Sequence, residues 1–159
     1  MLILGLSGPS AAGKTTLACE LQRLDGGRCI TVTTDNFFVP AQECPRFDLE
    51  AIPWPDGIVP AAFATRGNAD TNVPAAVDWS GVHTAVVDAA STGGHVVIDS
   101  LLLLGDHPGA RRVRSLCDQL VVLMADDAPA RHALRRRKYA RAHLGRPSYE
   151  QRGVSEAEY

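Results

Sequence analysis

Gly8-Pro9-Ser10-Ala11-Ala12-Gly13-Lys14-Thr15 fits the pattern GxxxxGK[ST], and Thr16 follows it directly. These residue types at this spacing make a cradle for a polyphosphate. Glycines let the backbone curl until successive N–H groups point inward at an anion. A helix that opens straight after the curl adds the positive end of its dipole. The lysine brings a full charge to the β- and γ-phosphates, and the threonine hydroxyl can ligate Mg²⁺. Gly8, Ser10, Ala11, Ala12, Gly13, Lys14, Thr15 and Thr16 are therefore the expected phosphate contacts of a nucleoside triphosphate.

Three further features could complete a phosphoryl-transfer site. Asp35 follows the β-branched run Cys29–Thr34. A carboxylate at the carboxyl end of a parallel strand faces the ligand crevice and could take the proton of an attacking hydroxyl; a turn-forming Asp before Asn36 is the plain alternative. Asp99 ends Val96-Val97-Ile98 and resembles the acid that holds Mg²⁺ directly or through water, the alternative being a strand-end or helix-capping Asp. Arg131, Arg135, Arg136, Arg137, Lys138, Arg141, Arg146 and Arg152 form a basic run in which Arg137 and Arg141 lie four apart, on one helical face. Mobile cations of this kind clamp a transferring phosphoryl group; a solvated basic face and a nucleic-acid patch are the competing readings. Phe37 and Phe38 belong either in the core or in one wall of a substrate pocket, and Phe38 is assigned to the wall. Asp106-His-Pro-Gly109 matches DxxG, but no guanine-reading NKxD follows, so it reads as a loop. The five histidines are scattered without metal spacing.

These residues need elements to position them. Residues 2–6 are a continuous apolar run, as in a strand buried on both faces. From Lys14 to Leu24, Leu17, Ala18, Leu21 and Leu24 recur at helical spacing, and Gly26-Gly27 stops the helix. Cys29–Thr34 reads as a second strand, Val82–Ala90 as a helix, His95–Asp99 and Gln119–Met124 as strands, and Asp126 to His143 as a basic helix. Between them, residues 39–78 hold six of the ten prolines and read as irregular. The order β-loop-α-β-irregular-α-β-α-β-α implies an α/β fold, a parallel sheet of four strands covered by helices on both faces, as in the three-layer P-loop NTPases.

Composition bounds the rest. The 159 residues are 45% hydrophobic and 21% charged. That suits one domain over 1–159 with a packed core, the 39–78 segment on the substrate side and an arginine-rich lid at 131–152. No apolar run is long enough to span a bilayer, and the apolar N-terminus lacks an export signal's basic flank and cleavage site. The four cysteines form no CxxC pair, which points away from zinc and toward reduced, buried thiols in the cytoplasm. Net charge is −2, divided as −7 over residues 1–130 and +5 over 131–159. The acidic remainder, with no aromatics interleaved among the bases beyond Tyr139 and Tyr149, argues against nucleic acid as a partner.

At Gly8–Thr16, Thr34-Asp-Asn-Phe-Phe-Val-Pro40, Val97-Ile-Asp-Ser100 with Leu101–Leu104, and Arg135-Arg-Arg137 with Arg141, the chain resembles the uridine kinase and nicotinamide riboside kinase group. The Asp-x-Phe-Phe-x-Pro segment is closest to nicotinamide riboside kinase. The resemblance spans roughly residues 1–40 and 77–145. It implies a five-stranded parallel sheet and transfer of the γ-phosphate of ATP to the 5′-hydroxyl of a ribonucleoside, with Mg²⁺. By position it makes Asp35 the catalytic base, Asp99 an acid near the metal with Thr15, Arg137 and Arg141 lid arginines contacting the transferring group and substrate, and Asp78 an acid that grips the ribose hydroxyls. The chain departs from that group at Asn36, where the group often has Asp, and at Asp99, where it often has Glu. The group also continues past the lid into a helix, a fifth strand and an adenine-contacting loop. The chain is thus expected to be a fragment or to have an incomplete adenine site. A kinase for another alcohol, such as pantothenate or a sugar acid, and a non-catalytic nucleotide-binding module remain open.

Overall fold

The apolar N-terminal run becomes strand β1 (Ile3–Ser7), and the amphipathic stretch after the glycine-rich loop becomes helix α1 (Lys14–Leu24). Strand β2 (Ile30–Thr33) passes into a 3-10 turn at Thr34–Phe37. Helix α2 (Trp79–Ser91), strand β3 (Val96–Asp99), helix α3 (Pro108–Arg114) and strand β4 (Gln119–Val122) follow in alternation. The computed structural model describes residues 1–46, 69–124 and 128–134. The chain divides into two units, Met1–Val39 with Thr71–Met124, and Pro40–Asp70 with Ala125–Tyr159.

The first unit holds a four-stranded, wholly parallel sheet in the order β2-β3-β1-β4. Side chains alternate between its faces, and each face has its own cover. Ile3, Val32, Val96 and Ile98 pack with Trp79, Val82 and Val86 of α2 and Ala110 and Val113 of α3. Leu6 and Val97 pack with Ala18 of α1, and Cys29 joins them. This is the three-layer arrangement that alternating strands and helices demand. Strand β4 forms one edge, and Leu120, Val121 and Val122 are each more than a third exposed.

Helix α2 begins three residues earlier than hydrophobic periodicity predicts, because Asp78 caps it, accepting from the backbone N–H groups of Ser80 and Gly81. The DxxG stretch is also a helix start: His107 Nδ1 accepts from Gly109 N at 3.1 Å, and Pro108 occupies the first turn of α3. None of the four cysteines is in a disulfide. Cys29 and Cys44 are buried as expected, but Cys19 is exposed, one position round α1 from the buried Ala18. Burial pushes the thiols of Cys29 and Cys117 up, helped by the carboxylates of Asp25 and Asp118 respectively. Among the described residues no helix is long and apolar enough to cross a membrane.

In the second unit, Glu43 N and Cys44 N both donate to Pro40 O, Arg46 bridges Ala69 in antiparallel fashion, and Asp70 N donates to Pro45 O. Residues 128–134 are helical, in keeping with the start of the expected basic helix. The rest of that helix and residues 47–68 lie outside the described residues.

Val86 is fully buried and its neighbour Val87 is 45% exposed. Val86→Ala should therefore cost about 2 kcal/mol and Val87→Ala less than about 0.5 kcal/mol, read as the shift in urea midpoint at constant m.

Candidate active site

The glycine-rich loop joins β1 to α1 in a curl made by three residues with positive φ: Gly8 at 139°, Ala11 at 65° and Gly13 at 99°. Gly8 is fixed twice over. Its φ is left-handed, and a Cβ there would run into the carbonyl oxygen of Leu123, just past β4. Ala11 holds a left-handed conformation with a side chain, the kind of local backbone strain found at ligand clamps. No side chain caps the start of α1, and the positive end of its dipole faces the loop that leads into it. Lys14 is buried, and its Nζ donates to Gly8 O at 3.0 Å and Pro9 O at 3.1 Å. The ammonium thus sits across the curl. A glycine-rich curl, a helix start and a cation together can hold a polyphosphate.

Asp99 reaches this loop because of the sheet. In the parallel ladder it stands opposite Leu6 of β1, and alternation puts it on the α1 face with Leu6 and Val97. Its Oδ2 accepts from Thr15 Oγ1 at 2.6 Å. Two hard oxygens from different elements, one hydrogen bond apart and beside the phosphate curl, form a donor set suited to Mg²⁺, which takes one or two protein oxygens and draws its remaining ligands from phosphates and water. Thr15 and Asp99 are the residues that could hold such an ion.

Asp35 is exposed in the 3-10 turn that follows β2. Strand order places the end of β2 two strand spacings, about 10 Å, from the end of β1, with β3 and Asp99 between. The segment after Asp35 runs alongside the start of α2. Phe38 bridges Val77, Val39 N donates to Ala76 O, and Asp78 N donates to Phe37 O at 2.7 Å. That pairing separates the two phenylalanines: Phe37 packs against the core, whereas Phe38 stays 37% exposed. It also brings Asp78 beside the Asp35 turn. Asp78 Oδ1 accepts from Ser80 N at 3.1 Å and Gly81 N at 3.0 Å. One of its oxygens is thus committed to capping α2, a role the sequence reading did not give it. A Cβ on Gly81 would lie 2.6 Å from Asp78 Oδ2 and 3.1 Å from Phe37 Cδ1, so only glycine lets these groups meet.

Gly8 to Thr16, Asp35, Phe38, Asp78 and Asp99 all lie in the first unit. Arg137 and Arg141 lie outside the described residues. Sequence reasoning passed over one further polar pair at the strand ends, Thr34 and Ser100, each 1% exposed. The signal was a hydroxyl directly before Asp35 and another directly after Asp99.

A family model described as "Chloramphenicol phosphotransferase-like protein" matches residues 1–158. This is a phosphotransferase family, though not the nucleoside kinase group that the motifs resemble. Comparison with curated proteins finds no match. Among solved structures, a provisionally assigned fructose transport system kinase from Silicibacter sp. TM1040 matches with a TM-score of 0.59 at 16% identity, over 91% of this chain and 74% of that one. At that identity the likeness speaks for the fold.

Gly8→Ala tests the curl. It should weaken binding of a fluorescent ATP analogue at least about tenfold and lower stability by roughly 1–3 kcal/mol, because left-handed strain and the Leu123 carbonyl act together.

Proposed function

Because the chain belongs to the chloramphenicol phosphotransferase-like protein family and is a P-loop small-molecule kinase, we propose that it transfers the γ-phosphoryl group of ATP to the 5′-hydroxyl of a ribonucleoside, of the nicotinamide riboside or uridine/cytidine type, in the cytoplasm. The observation that carries the chemistry is the 2.6 Å contact of Thr15 with Asp99 at the mouth of the phosphate curl, flanked by the exposed Asp35. The acceptor rests on Asp35-x-Phe37-Phe38-x-Pro40 and on Asp78 beside it.

In this reading the amides of Gly8–Thr16 and the Lys14 ammonium grip the β- and γ-phosphates. Asp35 takes the proton of the acceptor hydroxyl as its oxygen bonds to the γ-phosphorus, and the bond from that phosphorus to the β,γ-bridging oxygen breaks, releasing ADP. Mg²⁺, when bound, would supply neutralisation of the phosphate charge. Thr15 and Asp99 would hold it. Arg137 and Arg141, four apart in the basic segment, neutralise charge on the transferring group. Phe38 offers an exposed ring against the acceptor body, and Asp78 has Oδ2 for the ribose hydroxyls.

A second reading follows from the family description: the acceptor is an alcohol of the chloramphenicol type. ADP release measured with uridine, cytidine, nicotinamide riboside, chloramphenicol, pantothenate and fructose separates the two. Ribonucleoside turnover is the expected result. Turnover of chloramphenicol instead would establish the second reading, and turnover of pantothenate or fructose a kinase for another alcohol. ATP binding with no turnover on any of them would mark a nucleotide-binding module. Asp35→Asn should keep ATP affinity and lose roughly 10²- to 10⁴-fold in turnover; unchanged transfer by that variant would remove Asp35 from the mechanism.

A further inference from the structure

Thr34 and Ser100 are buried hydroxyls with no part in the chemistry described so far. Thr33 stands opposite Asp99 in the β2–β3 ladder, so Thr34 and Ser100 make the next rung, just past the last paired residues. Both side chains are buried. Thr34 Oγ1 donates to Ser100 Oγ at 3.0 Å and lies 3.4 Å from the carbonyl oxygen of Asp99. Ser100 Oγ also accepts from Leu102 N at 3.1 Å, and Ser100 N donates to Leu6 O at 3.0 Å. One hydroxyl therefore ties the residue before Asp35 to the residue after Asp99, and that residue is tied in turn to β1.

We propose that Thr34 is a positioning residue for phosphoryl transfer, fixing the Asp35-bearing turn against the end of β3 so that the Asp35 carboxylate keeps a constant offset from Asp99 and the phosphate curl. This rests on the reading of Asp35 as the base. A 3-10 turn is short and its hydrogen bonds are poorly aligned, so the turn's own backbone holds Asp35 loosely. A side-chain bond to the neighbouring strand supplies the missing restraint, and a small misplacement of a catalytic group is costly.

Thr34→Val keeps the side-chain shape and removes the donor, whereas Thr34→Ser keeps the donor. Both are compared with wild type and Asp35→Asn by ADP release, using Mg-ATP and the panel acceptor that the wild-type protein turns over, together with urea unfolding. Thr34→Val should lower kcat roughly ten- to hundredfold, leave KM for ATP within about twofold, and be rescued to within about threefold by Thr34→Ser. A kcat loss that Thr34→Ser does not recover, or one matched by a rise in KM for ATP, would mark a hydroxyl that merely fills the core and would overturn the proposal. Wild-type kcat in Thr34→Val alongside an inactive Asp35→Asn would overturn it while leaving the base in place. Full turnover by Asp35→Asn would remove the base and this proposal together. Should Thr34→Val not fold, Ser100→Ala removes the acceptor of the same bond and is read by the same split.

Discussion

The Thr15 hydroxyl and the Asp99 carboxylate share one 2.6 Å hydrogen bond, and the fold is arranged so that they can. Thr15 lies in the first turn of the helix that follows β1, and Asp99 is the last residue of β3. They meet because β3 lies next to β1 and because Leu6 and Asp99 stand opposite one another on the face that α1 covers. The register is a constraint as much as the order. Side chains alternate with a period of two, so a slip of one residue would turn Asp99 toward the apolar layer under α2 and α3. The carboxylate would then be buried among Val82, Val86 and Val113 without a partner. Val96, Val97 and Ile98 are buried and apolar on both faces, so the acid itself is what disfavours the slip.

The same strand order makes the crevice. The chain leaves β1 toward β2 on one side and leaves β3 toward β4 on the other. Connections that diverge from adjacent strands open a gap at their carboxyl ends, and open parallel sheets bind ligands there. The glycine-rich loop fills one lip of that gap. Leu123 backs it, donating its N–H to Ser7 O and blocking any side chain at Gly8. The turn with Asp35 lies across the gap, one strand beyond Asp99. A nucleotide tail on the first lip and an alcohol near the second would meet over the Thr15–Asp99 pair, on the proposed reading.

What the sequence made legible was local. The phosphate loop spans eight consecutive residues, and its chemistry follows from glycine, lysine and threonine at fixed offsets. The strands and α1 followed from periodicity over windows of similar length. The start of α2 did not, because Asp78 was weighed as a ligand-gripping acid and not as a cap. The assignment of Phe38 to the wall had no spacing rule behind it; the bridge of Phe38 to Val77 leaves Phe37 against the core and Phe38 exposed. Cys19 sits beside the buried Ala18 yet faces outward, a matter of 100° round a helix. The pairing of Thr34 with Ser100 joins residues 66 apart, and no spacing rule covers such a contact. Arg137 and Arg141 rest on sequence alone.

Asp35 and Asp78 differ in a way that bears on how an acceptor alcohol would be selected. Asp78 is anchored: its Oδ1 accepts two backbone N–H bonds at the start of α2, where the helix dipole favours negative charge. It can offer an acceptor one oxygen at a fixed place. Asp35 sits in a short turn and is held through the residue before it. A fixed carboxylate suits recognition of hydroxyls that do not react, because recognition needs a stationary partner. On the proposed reading the proton acceptor needs its own restraint, because a small misplacement of it is costly, and the bond from Thr34 to Ser100 supplies one. Phe38, beside both, adds surface without charge. Discrimination among alcohols would then rest on the distance between the reacting hydroxyl and its neighbours, set by the backbone pairing of Phe37–Val39 with Ala76–Asp78.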